Sequence, residues 1–130
     1  MPRINFFVHG NPVAQGRPRF FRRGSFVGCY DPSKSKSWKE TIAWQAVENK
    51  VPLLDGALDM RLVFSLKRPK TLPKKVVHHV KKPDLDNLTK AVKDALNGIA
   101  YKDDSQIISC MALKRYGEPL GVQIQIYEGG

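Results

Sequence analysis

The sequence contains little cysteine and no long apolar run. Its two cysteines, Cys29 and Cys110, lie far apart and match no zinc-binding or redox spacing, so we expect both thiols to be reduced. No apolar stretch approaches the roughly 20 residues that a membrane-spanning helix requires. The N-terminal segment also lacks the apolar region and small-residue cleavage site of a secretory signal. These absences predict a cytoplasmic protein without a membrane-embedded part.

Acidic residues are scarce relative to basic ones. The chain has 12 Asp and Glu against 22 Lys and Arg, which gives a formal net charge of +10. Such an excess favours a polyanionic partner, because a protein that neutralises phosphates releases their condensed counterions. Net charge alone does not distinguish nucleic acid from an anionic membrane surface, but the clustering of the bases favours nucleic acid.

The basic residues fall mainly into two clusters. Residues Pro69–Pro83 include five lysines and no acid, and the stretch "GRPRFFRRG" interleaves arginines with phenylalanines. Those phenylalanines either stack on exposed bases or anchor the segment to the core, and the sequence leaves both readings open. Because Pro69–Pro83 has three prolines and no periodicity, we expect a loop that is mobile without DNA. The candidate DNA-binding residues are Arg17, Arg19, Arg22, Arg23, Lys70, Lys74, Lys75, Lys81, Lys82 and Lys93.

The apolar pattern predicts one α+β domain over residues 1–130, a length that suits a single core. Residues Leu58–Leu66 alternate between apolar and polar side chains, as a strand with one buried face does. The remaining segments predict a strand at Ile4–Gly10, a loop or irregular hairpin at Pro12–Tyr30, a helix from about Ser37 with Trp38 and Trp44 in the core, and strands at 105–116 and 122–127. This order predicts a mixed α/β layer in which helices pack on a single small sheet.

The strongest helix prediction covers "KPDLDNLTKAVKDALNG", residues Lys82–Gly98. Its apolar side chains recur at i, i+3, i+4, i+7 and i+8, which makes one apolar stripe. Asp84 and Asp86 stand at its start, where a carboxylate often caps unpaired backbone N–H groups. Lys90 lies one turn beyond Asp86 on the polar face. It is either an ion-pair partner or a cation placed to meet a phosphate.

A second acidic pair, Asp103 and Asp104, follows this helix and precedes an apolar strand. Taken alone, the pair is typical of a turn. If the strand returned beside the N-terminal end of the helix, these carboxylates would approach Asp84 and Asp86. Converging carboxylates repel one another unless a cation intervenes, and Mg²⁺ takes such oxygen ligands together with water and phosphate. An acidic group within a basic surface therefore favours a metal site for phosphodiester chemistry over helix caps.

The stretch "KPDLDNLTKAVKDALNGIAYKDDSQI" resembles the signature of the RusA family of Holliday junction resolvases. The shared features are Pro-Asp-x-Asp-Asn-Leu, a lysine four residues beyond the second aspartate, Asp-Ala-Leu-Asn-Gly, and Asp-Asp-x-Gln-Ile. The N-terminal "GNPVAQGRPRF" is similar to that family's opening strand and loop, and the basic, proline-rich "KRPKTLPKKVVHHVKKPD" also fits. The resemblance covers nearly the whole chain.

The resemblance implies a homodimeric, Mg²⁺-dependent endonuclease that nicks two opposed strands of a four-way DNA junction, encoded by a bacterium or a phage. Asp84, Asp86 and Asp104 would be the catalytic, metal-binding carboxylates and Lys90 the essential lysine. Asp103 is a further candidate ligand, because it adjoins Asp104. A two-fold dimer suits a junction of approximate two-fold symmetry, since it presents two equivalent sites to two opposed strands.

Two other functions are consistent with the residues alone. One is a non-catalytic DNA-binding dimer in which the acids are caps and ion-pair partners. The other is a general Mg²⁺-dependent nuclease without junction preference. The apolar strands Leu58–Leu66 and Ile107–Leu113 offer a dimer interface, although burial in the core explains them equally well.

Overall fold

The computed structural model describes residues 1–14, 19–23, 26–30 and 33–129, and for 19–23 and 26–30 it describes the backbone alone. In chain order the elements are β1 (Ile4–His9), β2 (Arg19–Arg23), β3 (Phe26–Tyr30), α1 (Ser33–Glu48), β4 (Leu58–Leu66), α2 (Leu85–Ala95), a short 3₁₀ helix (Asp104–Gln106), β5 (Ile107–Tyr116) and β6 (Gly121–Glu128). No helix within these described ranges is long and apolar enough to cross a membrane.

Four strands form one mixed sheet in the order β1-β6-β4-β5. Strand β6 is antiparallel to both β1 and β4, whereas β4 and β5 run parallel. Strands β2 and β3 form a separate antiparallel hairpin, which lies within the segment Pro12–Tyr30. The predicted α+β class, with helices on one small sheet, is confirmed.

One face of the sheet and the two helices enclose the core. Alternate residues of β1, β4 and β6 are buried, and the register places them side by side, as where Phe6 pairs with Ile124 and Ile124 with Leu62. Each large side chain buried in this way contributes about 1.5–3 kcal/mol, so the apolar stripe of α2 fixes that helix against the sheet. The helices cover the face with Trp38, Ile42 and Ala46 from α1 and with Leu88, Ala91 and Val92 from α2.

Helix α1 begins four residues before the position that the sequence pattern predicts. It starts at Ser33 rather than near Ser37, and Ser35 is buried in its first turn. Serine and lysine alternate through residues 33–37, so no apolar periodicity marks this turn. The prediction that Trp44 belongs to the core is also wrong. Its side chain is 65% exposed, because it does not lie on the buried i, i+4 stripe of α1.

Candidate active site

The N-terminal end of α2 presents two carboxylates to solvent. Asp84 is the N-cap residue, with extended backbone angles of φ −66° and ψ 141°, but its side chain makes no capping hydrogen bond. Asp86 lies in the first turn and is exposed. Within the described part of the chain, neither carboxylate has a hydrogen bond or an ion pair. The interpretation of these two side chains as helix caps is therefore not supported by their contacts.

Lys90, one helical turn beyond Asp86, is exposed. The ion pair that an i, i+4 arrangement allows is not formed, since the salt bridges between described residues join Arg3 to Glu128 and Arg61 to Asp59. A cation without an acidic partner thus stands beside two carboxylates without basic partners. The two carboxylates are therefore available to a bound cation, and the lysine is available to a phosphate.

Lys114 holds the backbone that leads into Asp84. Its Nζ atom donates to the carbonyl oxygens of Lys81 at 2.6 Å and Pro83 at 2.9 Å. Lys114 lies on β5, in register with Phe64 of the buried face, so its side chain reaches the helix side of the sheet. Lys114 is not among the functional residues predicted from the sequence. Its place in the sequence could have indicated a role, because a lysine on the buried face of an apolar strand needs a polar partner.

The basic segment that precedes α2 is anchored at its C-terminal half. The Tyr116 N–H donates to the carbonyl of Val77 at 2.9 Å, and His78 forms an isolated antiparallel bridge with Arg115. His79 is 9% exposed and packs on the Tyr116 ring at 4.8 Å between centroids. The expected mobility of Pro69–Pro83 without DNA stays a prediction, to be measured by hydrogen exchange along the loop.

The docking of this segment should depend on pH through His79. Burial, followed by the charge of Lys114, lowers the pKa of His79 from its ordinary 6.5, because the imidazolium form is disfavoured in the docked loop. Undocked His79 binds a proton more readily, so its contribution to docking is present in full above pH 6.5 and is lost as the pH falls towards the lower, docked-state pKa. We expect the hydrogen-exchange protection of the Tyr116 amide to weaken between pH 7 and 5. His79→Phe should remove this dependence, and an equal loss of protection in that variant would contradict the account.

The structure separates the roles of the two adjacent acids after α2. Asp103 caps the 3₁₀ helix, since its side chain accepts from the Ser105 N–H at 3.1 Å while the Gln106 side chain accepts from the Asp103 N–H. Hydrogen bonds from the side chain and the backbone of Ser105 hold the pKa of Asp103 below its usual value. The carboxylate of Asp104 has no hydrogen bond or ion pair in the described ranges. Among the two, Asp104 is thus the acid whose carboxylate has no hydrogen-bond partner in the described part of the chain.

Asp104 lies near the C-terminal end of α2, away from Asp86. The buried hydroxyl of Tyr101 donates to the carbonyl of Lys93 at 2.8 Å, and the charge of Asp104 acts on this same Tyr101 by raising its pKa, after the larger effect of burial. Asp86 and Lys93 are seven positions apart, which corresponds to about 10 Å along a helix axis.

Within one chain, the carboxylate of Asp104 therefore does not approach those of Asp84 and Asp86. Strand β5 starts beside the C-terminal end of α2 and reaches its N-terminal end only at Lys114, so Asp104, just before the strand, remains at the far end of the helix. Across residues 1–14 and 33–129, no three acidic, histidine or cysteine side chains come together as metal ligands. Asp84 and Asp86 thus lie at the start of α2, with Lys90 one turn beyond Asp86.

The candidate DNA-binding residues fall into three groups. Lys70, Lys74 and Lys75, together with Lys81 and Lys82, are exposed on the segment before α2. Lys93 is partly buried on α2 itself. Arg17 lies outside the described residues, and Arg19, Arg22 and Arg23 lie on the backbone of β2, with their side chains outside the description. A basic surface therefore leads directly to the two carboxylates at the start of α2.

Comparison with known proteins gives a family and a relative for this chain. The family model described as "Endodeoxyribonuclease RusA" matches residues 9–127. The chain is also 38% identical over 136 residues to the Bacillus subtilis (strain 168) protein described as "Uncharacterized protein YqaN", and the match covers 96% of each chain. The matched range begins at the last residue of β1 and ends one residue before the end of β6. It therefore includes both helices, strands β2 to β5 and the candidate site.

Proposed function

This chain belongs to the RusA endodeoxyribonuclease family, an enzyme family that acts on Holliday junctions, and we propose that it resolves four-way DNA junctions by paired, symmetric nicks that require Mg²⁺. The reaction is the hydrolysis of one phosphodiester bond in each of two opposed strands. Its setting would be DNA recombination and repair in the cytoplasm of a bacterium or a phage-infected cell, because the substrate is DNA. The proposed assembly is a homodimer, which presents two equivalent sites.

The observation that carries this proposal is the set of uncompensated charges around α2. Three carboxylates, those of Asp84, Asp86 and Asp104, have no hydrogen-bond or ion-pair partner in the part of the chain that the structure describes, although each belongs to a protein with net charge +10. By contrast, the neighbouring Asp103 caps the 3₁₀ helix, which is a structural role.

The donor set fits a hard divalent cation. Mg²⁺ is commonly held by one or two carboxylates together with waters and substrate phosphate, and Asp84 and Asp86 supply two carboxylates at the start of one helix. Such an ion, when bound, lowers the pKa of a bound water and neutralises charge on the phosphate. Lys90 would neutralise negative charge that develops on the phosphate during hydrolysis. Lys114 positions Asp84 by fixing the carbonyl of Pro83.

The exposed lysines before α2 supply the affinity for DNA. Lys74 and Lys75 are exposed and have no acidic partner among the described residues, so they are free to contact phosphates. Such contacts are independent of sequence and are weakened by salt. Preference for a junction must therefore come from shape, through the spacing and orientation of two sites.

Binding competition tests the junction preference. A labelled four-way junction would be challenged with unlabelled junction or with linear duplex of the same arm sequences. We expect the junction to displace the label at a concentration at least about tenfold lower than duplex, since only a junction fits both sites of a two-fold dimer. Equal competition, with cleavage of both DNAs, would instead indicate a general nuclease.

Asp103 and Asp104 provide a matched pair of variants. We expect Asp104→Asn to reduce junction cleavage by at least about 100-fold, because losing even an outer partner of a metal ligand commonly costs 10–100-fold. Asp103→Asn should leave the melting temperature nearly unchanged, since the amide oxygen can still accept from the Ser105 N–H, and should retain most of the cleavage. Cleavage rates and thermal melts of the two proteins measure this. The reverse pattern would make Asp103 the ligand.

A further inference from the structure

We propose that Lys114 is a positioning residue for DNA cleavage, which ties the basic segment 69–83 to Asp84 so that the phosphate contacts and the proposed metal ligand keep a fixed spacing. The proposal rests on the proposed metal-dependent nuclease function and adds a residue that touches neither the DNA nor the metal. Lys114 acts on the chemical step through Asp84 and contributes little to the affinity for DNA.

The ammonium group of Lys114 is partly buried and has no acidic partner in the described ranges. It donates two hydrogen bonds to backbone carbonyls, those of Lys81 and Pro83. A charge removed from water is costly unless polar partners compensate for it. An apolar side chain would suit the core-facing register of β5 at a lower cost, so the lysine at this position serves the segment that it holds.

Lys114 fixes the backbone on the N-terminal side of Asp84. The Pro83 carbonyl and the Asp84 N–H belong to one planar peptide group, so the hydrogen bond to Pro83 orients the peptide that enters Asp84. On the other side, the Asp84 carbonyl accepts from the Leu88 N–H at 3.0 Å. Both peptide groups that flank Asp84 are therefore held, with φ −66° and ψ 141°, and with them the direction of its side chain.

Among the described residues, nothing holds the carboxylate of Asp84 itself. Its side chain makes no capping hydrogen bond, so the backbone alone determines where the carboxylate can reach. Loss of the contact between Lys114 and Pro83 frees one of the two flanking peptide groups. A ligand that is free to turn binds a metal less well than one that is held in place.

The same ammonium group holds the part of the segment that carries two DNA-binding lysines. Lys81 supplies one of the two carbonyls, and the side chains of Lys81 and Lys82 are exposed. Both lysines therefore extend from a backbone that is fixed at Lys81 and at Pro83, directly before Asp84. A phosphate bound by these lysines is kept at a set distance from the Asp84 carboxylate.

Other contacts attach the segment to the sheet without Lys114. The Tyr116 N–H donates to the Val77 carbonyl at 2.9 Å, and the rings of His79 and Tyr116 pack with their centroids 4.8 Å apart. A variant without the Lys114 ammonium group should therefore keep the segment docked. Its effect is confined to the residues next to Asp84.

Arg68 makes a similar contact at the other end of the segment. Its guanidinium group donates to the Pro73 carbonyl at 2.6 Å and lies over the Tyr116 ring, 5.4 Å from the centroid. Like Lys114, it is a partly buried cation that holds a backbone carbonyl of the segment, but Pro73 is eleven positions before Asp84. Arg68 is therefore a matched control, because its removal changes the charge equally and loosens the segment away from the carboxylates.

Cleavage kinetics of Lys114→Met and Arg68→Met separate positioning from DNA binding. With junction DNA and Mg²⁺, we expect Lys114→Met to lower kcat by about 10–100-fold, as loss of a residue that orients a metal ligand does, with KM nearly unchanged. Arg68→Met should raise KM and leave kcat nearly unchanged, because a looser segment weakens the phosphate contacts.

Mn²⁺ titrations give a readout that does not depend on cleavage. We expect Lys114→Met to weaken Mn²⁺ binding by about 10–100-fold and Arg68→Met to leave it unchanged. In an Asp84→Asn background, Lys114→Met should weaken Mn²⁺ binding no further, since a residue that acts through Asp84 has no effect once that ligand is lost. Additive losses would show that Lys114 does not act through Asp84.

Lys114→Arg should recover part of both losses, because a guanidinium group can also donate to two carbonyl oxygens. Circular dichroism and hydrogen exchange of the Tyr116 amide verify that each variant is folded with the segment docked. Lys114→Gln is measured beside Lys114→Met, and it replaces that variant if Lys114→Met is unfolded.

Two results would overturn the positioning role. One is wild-type kcat and Mn²⁺ affinity in the folded Lys114 variants, and the other is an equal loss of kcat in Lys114→Met and Arg68→Met. A wild-type protein that neither binds Mn²⁺ nor cuts junctions would instead contradict the proposed function itself.

Discussion

Asp86→Asn should abolish junction cleavage while DNA binding persists or becomes tighter. The substitution removes a negative charge from a basic surface, so it reduces repulsion of phosphate, and it also removes a proposed metal ligand. We expect the cleavage rate to fall by at least about 100-fold. Loss of a residue that merely orients a metal ligand commonly costs about 10–100-fold, and loss of the ligand itself should cost at least as much. Cleavage under single-turnover conditions and a gel-shift titration would measure the two effects separately.

The same variant distinguishes a nuclease from a non-catalytic DNA-binding dimer. If Asp86 were only a favourable charge at the start of α2, its loss would cost about 0.3–1 kcal/mol of stability and would leave any DNA-related activity unchanged. Glu118→Gln is a suitable control, because it makes the same change in net charge at an exposed position in the connection between β5 and β6. Equal behaviour of the two variants would contradict the assignment of Asp86 to the site.

Lys90→Gln should lower the rate of cleavage with little change in Mn²⁺ binding. Lys90 has no ion pair among the described residues and stands one turn from Asp86, so its charge is available to a phosphate. Removing one group that stabilises transition-state charge commonly costs about 10²–10³ in rate. Single-turnover rates and Mn²⁺ titrations would show whether the loss lies in the chemical step.

Lys36→Gln is the matched control for Lys90, since Lys36 is also exposed on a helix and lies outside α2. It should reduce DNA affinity only as one fewer surface charge would, with a small change in the salt dependence of binding. If Lys90→Gln reduced affinity by a similar amount and left the cleavage rate of bound junction unchanged, Lys90 would be a DNA-contacting residue only.

The helix that carries the site was predictable from the sequence, because its pattern is local. The apolar stripe of α2 identifies its buried face, and the polar face that remains includes Asp86 and Lys90. Gly98 adopts a positive φ of 81°, which glycine adopts without strain, and it ends the helix region as its type suggests. Alternation likewise identified β4 and its buried face.

The position of Asp104 was not predictable, because it depends on the path of the chain after α2. The tight turn in which Gly98 N–H donates to the Tyr101 carbonyl at 2.7 Å returns the chain at the C-terminal end of the helix. Parallel pairing of β5 with β4 then fixes the direction of the strand. The sequence of residues 97–107 indicates neither where the chain turns back along α2 nor the strand with which β5 pairs.

The distinction between Asp103 and Asp104 was also inaccessible to pattern alone. Two adjacent aspartates before a strand are equivalent in composition, and only backbone geometry decides which one caps. Asp103 has extended backbone angles of φ −151° and ψ 144°, as an N-cap residue requires, so its carboxylate turns back to Ser105. The neighbouring carboxylate is left free as a consequence.

The most direct test of metal-dependent junction resolution is cleavage of a synthetic four-way junction by the wild-type protein, with Mg²⁺ and with EDTA, with the products of all four strands mapped on a sequencing gel. We predict symmetric nicks in two opposed strands with Mg²⁺ and none with EDTA. Tight junction binding without cleavage under Mg²⁺ or Mn²⁺ would contradict the account and would leave a DNA-binding protein whose acids serve another purpose.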